Sequence, residues 1–526
     1  MADRPWFKYW PKGVPQHVDY PEIPLFELLS QAARRWPENV AFGCREQRLT
    51  YKKLDELTAR LATGLHDLGV KTGDRVMLFL PNSLEFIIGY YGILRAGATV
   101  TTANPLYLHT ELKRQLNDTE AVAIMTNRDL YPIVQKVRAE TRLKIIISSD
   151  AQGNGLALTQ ILERYPPNPP EFVVKPKDDV AVILATGGTT GLSKGVLLTH
   201  YNLVANAIQN ATWFHWSPAD TVIGLLPFYH SWGATAGINS AIYSGARVIV
   251  MRRFDGKELL ETVESERATV LYGVATMFVA LVNDPAIGQC DISTLRYVKA
   301  GGMPIPPQIK ERWEQLTKIR MVLGYGLSEA SPETHNSPLE RIKPGTVGIP
   351  IMDTDARIVD EETGEVELPP GQVGELVVRG PQVMKGYLNR PEDDRGALRN
   401  GWLYTGDLAL MDEEGYVKIV DRKKETIKYK GYTIAPAEVE AVLYQHPGVR
   451  ECAVVGKPDP LAGELPKAYV VLNEGVSVDE EELIEFCKER LAPYKRIREV
   501  EFIDEIPKTP VGKVLRRVLR DRERSH

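Results

Sequence analysis

Thr186-Gly187-Gly188-Thr189-Thr190-Gly191-Leu192-Ser193-Lys194-Gly195 follows directly on the apolar run Val180-Ala181-Val182-Ile183-Leu184. An unbroken apolar run ahead of a glycine-rich turn predicts a buried strand of a parallel sheet, because such strands are covered on both faces. Glycines at 187, 188 and 191 allow positive φ and close approach of backbone to a ligand; Thr186, Thr189 and Thr190 add hydroxyl donors, and Lys194 adds a cation for anionic oxygens. The stretch therefore predicts a loop that grips nucleotide phosphates at the carboxyl end of a strand. It is not a Walker A loop, which needs Gly-Lys-Ser/Thr, since Ser193 precedes the lysine and Gly195 follows it.

Outward from this loop, strand-like runs at 75–80, 122–126, 144–148, 180–184, 222–226, 247–251, 269–272, 296–299 and 320–323 alternate with helical segments such as 54–68, 83–96, 203–214 and 257–266. Strands spaced by helices predict right-handed βαβ units, hence α/β architecture with parallel-rich sheets and flanking helices. Ligands in such folds gather at the carboxyl ends of strands. The glycine-rich loop, Pro227-Phe228-Tyr229-His230, Ala300-Gly301-Gly302-Met303-Pro304 and Gly324-Tyr325-Gly326 all follow predicted strands, so four strand ends can converge on one cleft. Past residue 340 the texture turns to short strands punctuated by Gly and Pro, as in 374–380 and 415–420, which predicts a small β-subdomain. After Asp421-Arg422-Lys423-Lys424-Glu425 a separate α+β pattern begins, with helices at 436–445 and 478–491 and strands at 451–456 and 467–472. Two domains are expected: 1–423, and a small mobile α+β domain over 424–526.

The 526 residues suffice for a multi-domain enzyme. A net charge of −5, with 25% charged and 43% hydrophobic residues, gives no sign of a nucleic-acid surface or a disordered tail. Cys44, Cys290, Cys452 and Cys487 are far apart, without Cys-x-x-Cys or clustered histidine, which argues against a disulfide framework and a zinc site and fits a reducing, cytoplasmic setting. The start Met-Ala-Asp-Arg-Pro-Trp has no apolar signal core, and no stretch approaches the ~20 apolar residues that span a membrane. The expected partners are small molecules, with a homodimer as a further expectation.

The loop, Tyr325-Gly326-Leu327-Ser328-Glu329, Tyr404-Thr405-Gly406-Asp407, Asp421-Arg422 and Pro510-Val511-Gly512-Lys513 resemble, in this order, the signature motifs of the adenylate-forming superfamily: acyl-CoA synthetases, 4-coumarate-CoA ligases and firefly luciferase. The resemblance covers nearly the whole chain. It implies a two-step ligase in which a carboxylate attacks the α-phosphate of Mg-ATP to give acyl-adenylate and pyrophosphate, and the thiol of CoA then displaces AMP. On that resemblance Thr186, Gly187, Gly188, Thr189, Thr190, Gly191 and Lys194 hold the β- and γ-phosphates, with Thr189 also at the metal. Glu329 is the magnesium ligand, a hard carboxylate for a hard cation. Tyr325, followed by Gly326, Leu327 and Ser328, stacks on adenine, with Gly301, Gly302 and Met303 across the base. Asp407 takes the ribose hydroxyls and Arg422 gives a second ribose contact. Lys513 bridges the substrate carboxylate and the α-phosphate, where a fixed cation meets developing negative charge. Lys424 lies at the hinge, Lys428 touches the AMP phosphate, and Lys430, Gly431 and Arg253 lie along the path of CoA.

The chain departs from the family pattern at Gly187, where serine is usual, at Ser193, where proline is usual, at Ser328 in place of threonine, and at Ala275. None removes a required functional group. The resemblance places the acyl site at His230, Trp232, Tyr272, Val274, Met277, Phe278, Gly301 and Gly324, a mostly apolar lining with few polar anchors, suited to an alkyl chain. The segments 273–278 and 328–335 resemble fatty acyl-CoA synthetases, whereas 427–436 resembles the coumarate-ligase and luciferase branch. A medium- or long-chain fatty acid is the favoured substrate, an aryl or cinnamate-like acid the alternative. Two competing readings are a serine hydrolase and a catalytically silent nucleotide-binding protein. Gly191-Leu192-Ser193-Lys194-Gly195 satisfies the G-x-S-x-G nucleophile elbow, but the predicted strand ends several residues before Ser193. Intact Glu329 and Lys513 argue against the silent reading.

Overall fold

The glycine-rich stretch joins two strands that run antiparallel, Val180–Thr186 and Lys194–Thr199, with Thr186 opposite Lys194 and Ala185 opposite Gly195. The computed structural model describes residues 4–150, 156–186, 194–303, 305–423, 425–430, 432–509 and 514–524. The strands on either side of the phosphate loop are thus paired with each other, and the helix His200–Trp213 starts only after the second of them. A nucleophile elbow needs the helix to follow the turn at once, so the flanks of Ser193 exclude that reading.

Among the described residues the strands form four sheets. In the first, Met321–Gly326, Tyr297–Ala300, Val270–Gly273, Thr221–Gly224, Arg247–Val250 and Val40–Cys44 run parallel, with antiparallel strands added at both edges. In the second, Val180–Thr186, Thr99–Thr102, Arg75–Leu78, Ala123–Thr126, Ile145–Ser148 and Leu156–Ala157 run parallel, and Lys194–Thr199 and Gly386–Tyr387 extend it antiparallel. All nine strands predicted up to residue 330 are present with ends shifted by one to three residues. Thr99–Thr102 has the polar composition that hid it, although all four residues are buried.

Helix Leu84–Arg95 packs against strands of both large sheets. Ser83 starts it, its hydroxyl accepting from the Phe86 N–H, and Leu84 and the nine residues from Phe86 to Leu94 are buried. Each such aliphatic or aromatic side chain contributes about 1.5–3 kcal/mol of burial, enough to hold the sheets as one body. His200–Trp213 is held by a reciprocal cap between Thr199 and Asn202 and is buried along nearly its whole length.

The third sheet is an antiparallel meander built on Asp355–Val359, Gly374–Arg379, Trp402–Met411 and Val417–Arg422. It ends at Arg422, and the fourth sheet begins at Ile427. That sheet combines Ile427–Tyr429, Tyr432–Ile434, Val449–Asp459, Gly463–Leu472 and Glu499–Phe502, and helices Pro436–Leu443 and Glu480–Arg490 close a separate core around Val439, Leu443, Val454, Val470 and Leu483.

Candidate active site

The carboxyl end of Met321–Gly326, the third sheet and the start of the C-terminal helix Arg516–Arg524 enclose one cavity of about 1150 Å3. Gly302, Met303, Gly324, Tyr325, Gly326, Asp407 and Arg422 line it on one side, and Thr509, Val514, Leu515 and Arg516 on the other. Residues 510–513, and with them Lys513, lie outside the described residues, but both flanks of that segment face the cavity.

The ribose pair is a product of sheet register. Asp407 and Arg422 are directly opposite in the hairpin of Trp402–Met411 and Val417–Arg422, so both side chains leave the same face. Arg422 Nε donates to Asp407 Oδ1 at 2.9 Å, and the Tyr325 hydroxyl donates to Asp407 Oδ2. Burial, with Asp407 alongside, pushes the Tyr325 phenol well above its ordinary value and keeps it a neutral donor. Gly326 is obligatory, since a Cβ there would lie 2.2 Å from the Pro332 carbonyl oxygen. Gly302, at φ +76°, turns the chain after Tyr297–Ala300. Leu327 and Ser328 follow at the start of a short 3-10 turn, where the Ser328 hydroxyl lies 3.3 Å from that of Ser231.

Glu329 and Lys194 meet at Tyr387, a residue the sequence reading did not single out. The Tyr387 hydroxyl donates to Glu329 Oε1 at 2.9 Å, and Lys194 Nζ lies 4.9 Å from the center of its ring and 2.5 Å from Asp393 Oδ1. The two-residue strand Gly386–Tyr387 pairs with Val196 and Leu197, which carries Tyr387 to the hairpin. A two-residue strand has no periodicity to detect, so only the pairing exposes it. Thr186 ends its strand; Gly187, Gly188, Thr189, Thr190 and Gly191 lie outside the described residues, as do Lys424 and Gly431.

Lys428 and Lys430 sit on the hairpin Ile427–Tyr429 and Tyr432–Ile434, and neither is among the residues that line the cavity. Arg253 is exposed after Arg247–Val250 and is likewise absent from the lining. Arg516 Nη1 lies 2.5 Å from Glu425, and its Nη2 2.6 Å from Glu440. The nearby Asp421 carboxyl is pushed up to about 6 by burial.

The expected acyl wall departs most from the sequence reading. His230 caps the helix Ser231–Ala234, its Nδ1 accepting from the Trp232 N–H. Tyr272 is fully buried, its ring 5.8 Å from that of Trp232, while Met277 packs into a core with Phe278 and Leu281, and Val274 caps the helix Ala275–Asn283. Next to these residues Lys299 and Glu333 form a buried ion pair, with Asn210 and Asn336 on the carboxylate. Lysine and glutamate 34 residues apart carry no signal of pairing in a single sequence, so the ion pair was not visible.

Residues 29–388 match the family model of the AMP-binding enzymes, and residues 438–513 match the AMP-binding enzyme C-terminal domain. The chain belongs to the AMP-binding enzyme family. It is 38% identical to the long-chain-fatty-acid–CoA ligase of Bacillus subtilis (strain 168), covering 99% of both chains. It is 35% identical to 4-coumarate–CoA ligase 1 of Petroselinum crispum, covering 98% of this chain and 95% of that one. Its fold matches that of ATP-bound MatB from Rhodopseudomonas palustris with a TM-score of 0.88 and 29% identity, over 95% of this chain and 99% of the other. The adenylate-forming resemblance and the mixed α/β fold with a separate C-terminal domain are therefore correct. No helix among the described residues is long and apolar enough to cross a membrane, and none of their His, Cys, Asp and Glu form a cluster of three or more able to hold a metal by themselves.

Proposed function

We propose that this AMP-binding enzyme activates a medium- or long-chain fatty acid and passes it to CoA. The reaction class is that of its family: an ATP-dependent, AMP-forming acid–CoA ligase. The fatty-acid reading rests on the relatives at 38% identity. An aryl acid is the second reading, favoured by the 4-coumarate–CoA ligases at 35% and by the aromatic groups around Trp232.

One observation carries the mechanism: Tyr325, Asp407 and Arg422 share a cavity with both flanks of Lys513. That arrangement suits adenylation. Asp407 accepts from ribose hydroxyls while Arg422 and Tyr325 hold its orientation. Gly302 and Met303 cover one side of the base. The loop with Thr186, Thr189, Thr190 and Lys194 takes the pyrophosphate, and Lys513 neutralises charge as the acid's oxygen attacks the α-phosphate and pyrophosphate departs. Glu329, a hard carboxylate hydrogen-bonded by Tyr387, would hold a magnesium ion, which would supply charge neutralisation.

Lys428 and Lys430 are on the same domain as Lys513 yet away from this cavity. We assign them to the thioester step, reached when the domain beyond Lys424 swings about that residue. The test is carboxylate-dependent ATP–pyrophosphate exchange across short, medium and long alkyl acids and several aryl acids. Exchange strongest with medium or long alkyl acids supports the reading; strongest exchange with aryl acids transfers it to the alternative, and none with any acid refutes ligation.

A further inference from the structure

Asp421 and Arg422 are neighbours on the strand Val417–Arg422, yet they serve different domains. Arg422 turns to Asp407, its partner across the hairpin. Asp421, opposite Leu408, turns the other way, because successive side chains of a strand leave opposite faces. There its Oδ2 accepts from the Ala437 N–H at 2.9 Å, on the far side of the hinge. Ala437 is the second residue of the helix Pro436–Leu443, whose N-cap residue, Ala435, has no side chain able to accept a hydrogen bond. A helix start leaves its first N–H groups without intrahelical partners, and the N-cap side chain ordinarily takes one two or three positions on. In this helix the acceptor comes from the other domain.

A second link joins the same helix to the segment of Lys513. Arg516, just beyond that lysine and 14% exposed, donates through Nε and Nη2 to the two oxygens of Glu440 at 3.0 and 2.6 Å, and through Nη1 to Glu425 at 2.5 Å. Glu440 Oε1 also accepts from the Val454 N–H at 2.8 Å, which fastens the helix to the sheet of its own domain. The helix, the segment after the hinge and the flank of Lys513 are thus tied into one unit, and Asp421 is a hold on that unit from the larger domain.

We propose that Asp421 is a positioning residue for adenylation: by capping the helix Pro436–Leu443 across the hinge it keeps the C-terminal domain where Lys513 faces the nucleotide, and the swing to the thioester step breaks the cap. This role rests on the ligase reading and on the swing assigned to it above. The accepting oxygen is present whether or not the carboxyl carries a proton, but burying its charge opposes the capped pose. Burial pushes Asp421 up to about 6 from an ordinary 3.8; the Arg516 guanidinium on the C-terminal helix and the Ala437 and Arg422 N–H groups pull the other way, and the Glu440 carboxylate on the capped helix adds to the rise. Glu425, after the hinge, is neutralised by Arg516. With the domain swung away the carboxyl returns to water and to its ordinary value. The capped pose therefore binds the proton more tightly, and a fall in pH favours it.

The test uses the full chain with the acid that exchanges best and compares two single-turnover rates: adenylate formation, and thioester formation from supplied acyl-adenylate and CoA. Asp421→Asn keeps the acceptor without the charge, and Asp421→Ala removes both. The ratio of the first rate to the second should be about 10-fold lower in Asp421→Ala than in Asp421→Asn, the scale of leaving one buried N–H without its acceptor. Between pH 7 and 5 the wild-type ratio should rise about 9-fold relative to that of Asp421→Asn, which has no proton to take up, and this comparison holds even where Asp421→Ala does not fold. Equal ratios in the two variants, or a wild-type ratio that runs parallel to that of Asp421→Asn with pH, overturn the inference alone; no adenylate formation by the wild-type enzyme with any acid overturns the ligase reading and this role with it.

Discussion

Acid should weaken this protein through two buried histidines, and His335 gives the cleanest test. It lies on the strand Glu333–Asn336 opposite Tyr325, fully buried, and burial lowers its pKa to about 3. His200, whose Nδ1 accepts from the Leu25 N–H, is lowered to about 4, also by burial. A histidine near 6.5 when unfolded takes up a proton in the unfolded chain first, so between pH 6.5 and the folded value the unfolded state binds more protons and stability falls as pH falls. From pH 7 to 5 each histidine removes about 1.9 kcal/mol. Asp421, raised to about 6, works in the opposite direction, because the folded state holds its proton more tightly, and it returns about 1.3 kcal/mol over the same range. For these three groups the loss is therefore about 2.5 kcal/mol. Urea unfolding of wild type and His335→Gln at pH 7, 6 and 5, followed by tryptophan fluorescence, isolates one residue. The variant should lose about 1.9 kcal/mol less than wild type between pH 7 and 5, whatever its starting stability. Parallel stability curves would refute the assignment of His335 as a buried neutral group.

Asp407→Asn should weaken ATP binding by about 10- to 100-fold in calorimetry, since charge-assisted hydrogen bonds are worth about 1.5–3 kcal/mol; unchanged affinity would remove Asp407 from the ribose site. Tyr387→Phe deletes the donor to Glu329 and should raise the magnesium concentration needed for half-maximal exchange while moving stability by no more than about 1.5 kcal/mol. Lys513→Ala should slow adenylation by about 100-fold or more and spare thioester formation from supplied acyl-adenylate, whereas Lys424→Pro should do the reverse. Equal loss of both half-reactions in both variants would refute domain alternation.

Where function follows from local composition, the sequence was readable. Apolar runs ending in glycine-rich turns identified the parallel strands and the strand ends that surround the cavity. What remained hidden was created by pairing. The six residues Lys194–Thr199 pair with Val180–Thr186, and that strand was not among those the sequence singled out. Tyr387 reaches Glu329 through two residues of edge pairing. Lys299 and Glu333 stand on strands separated by Met321–Gly326, and each alone reads as an ordinary surface charge.

The hairpin that delivers Asp407 and Arg422 sets a limit on how this family member can vary. Its turn is closed by Asp412, whose backbone N–H donates to the Tyr416 carbonyl, and by Gly415 at φ +86°. Substitutions elsewhere in that turn leave the strand alignment intact. Deleting one turn residue shifts the pairing by one, turns Arg422 to the opposite face and brings Asp421 toward Asp407, two carboxylates where a cation and an anion now meet. For this hairpin, residue count is therefore constrained more tightly than residue identity, and loop-length changes here should be far rarer in functional variants than point substitutions.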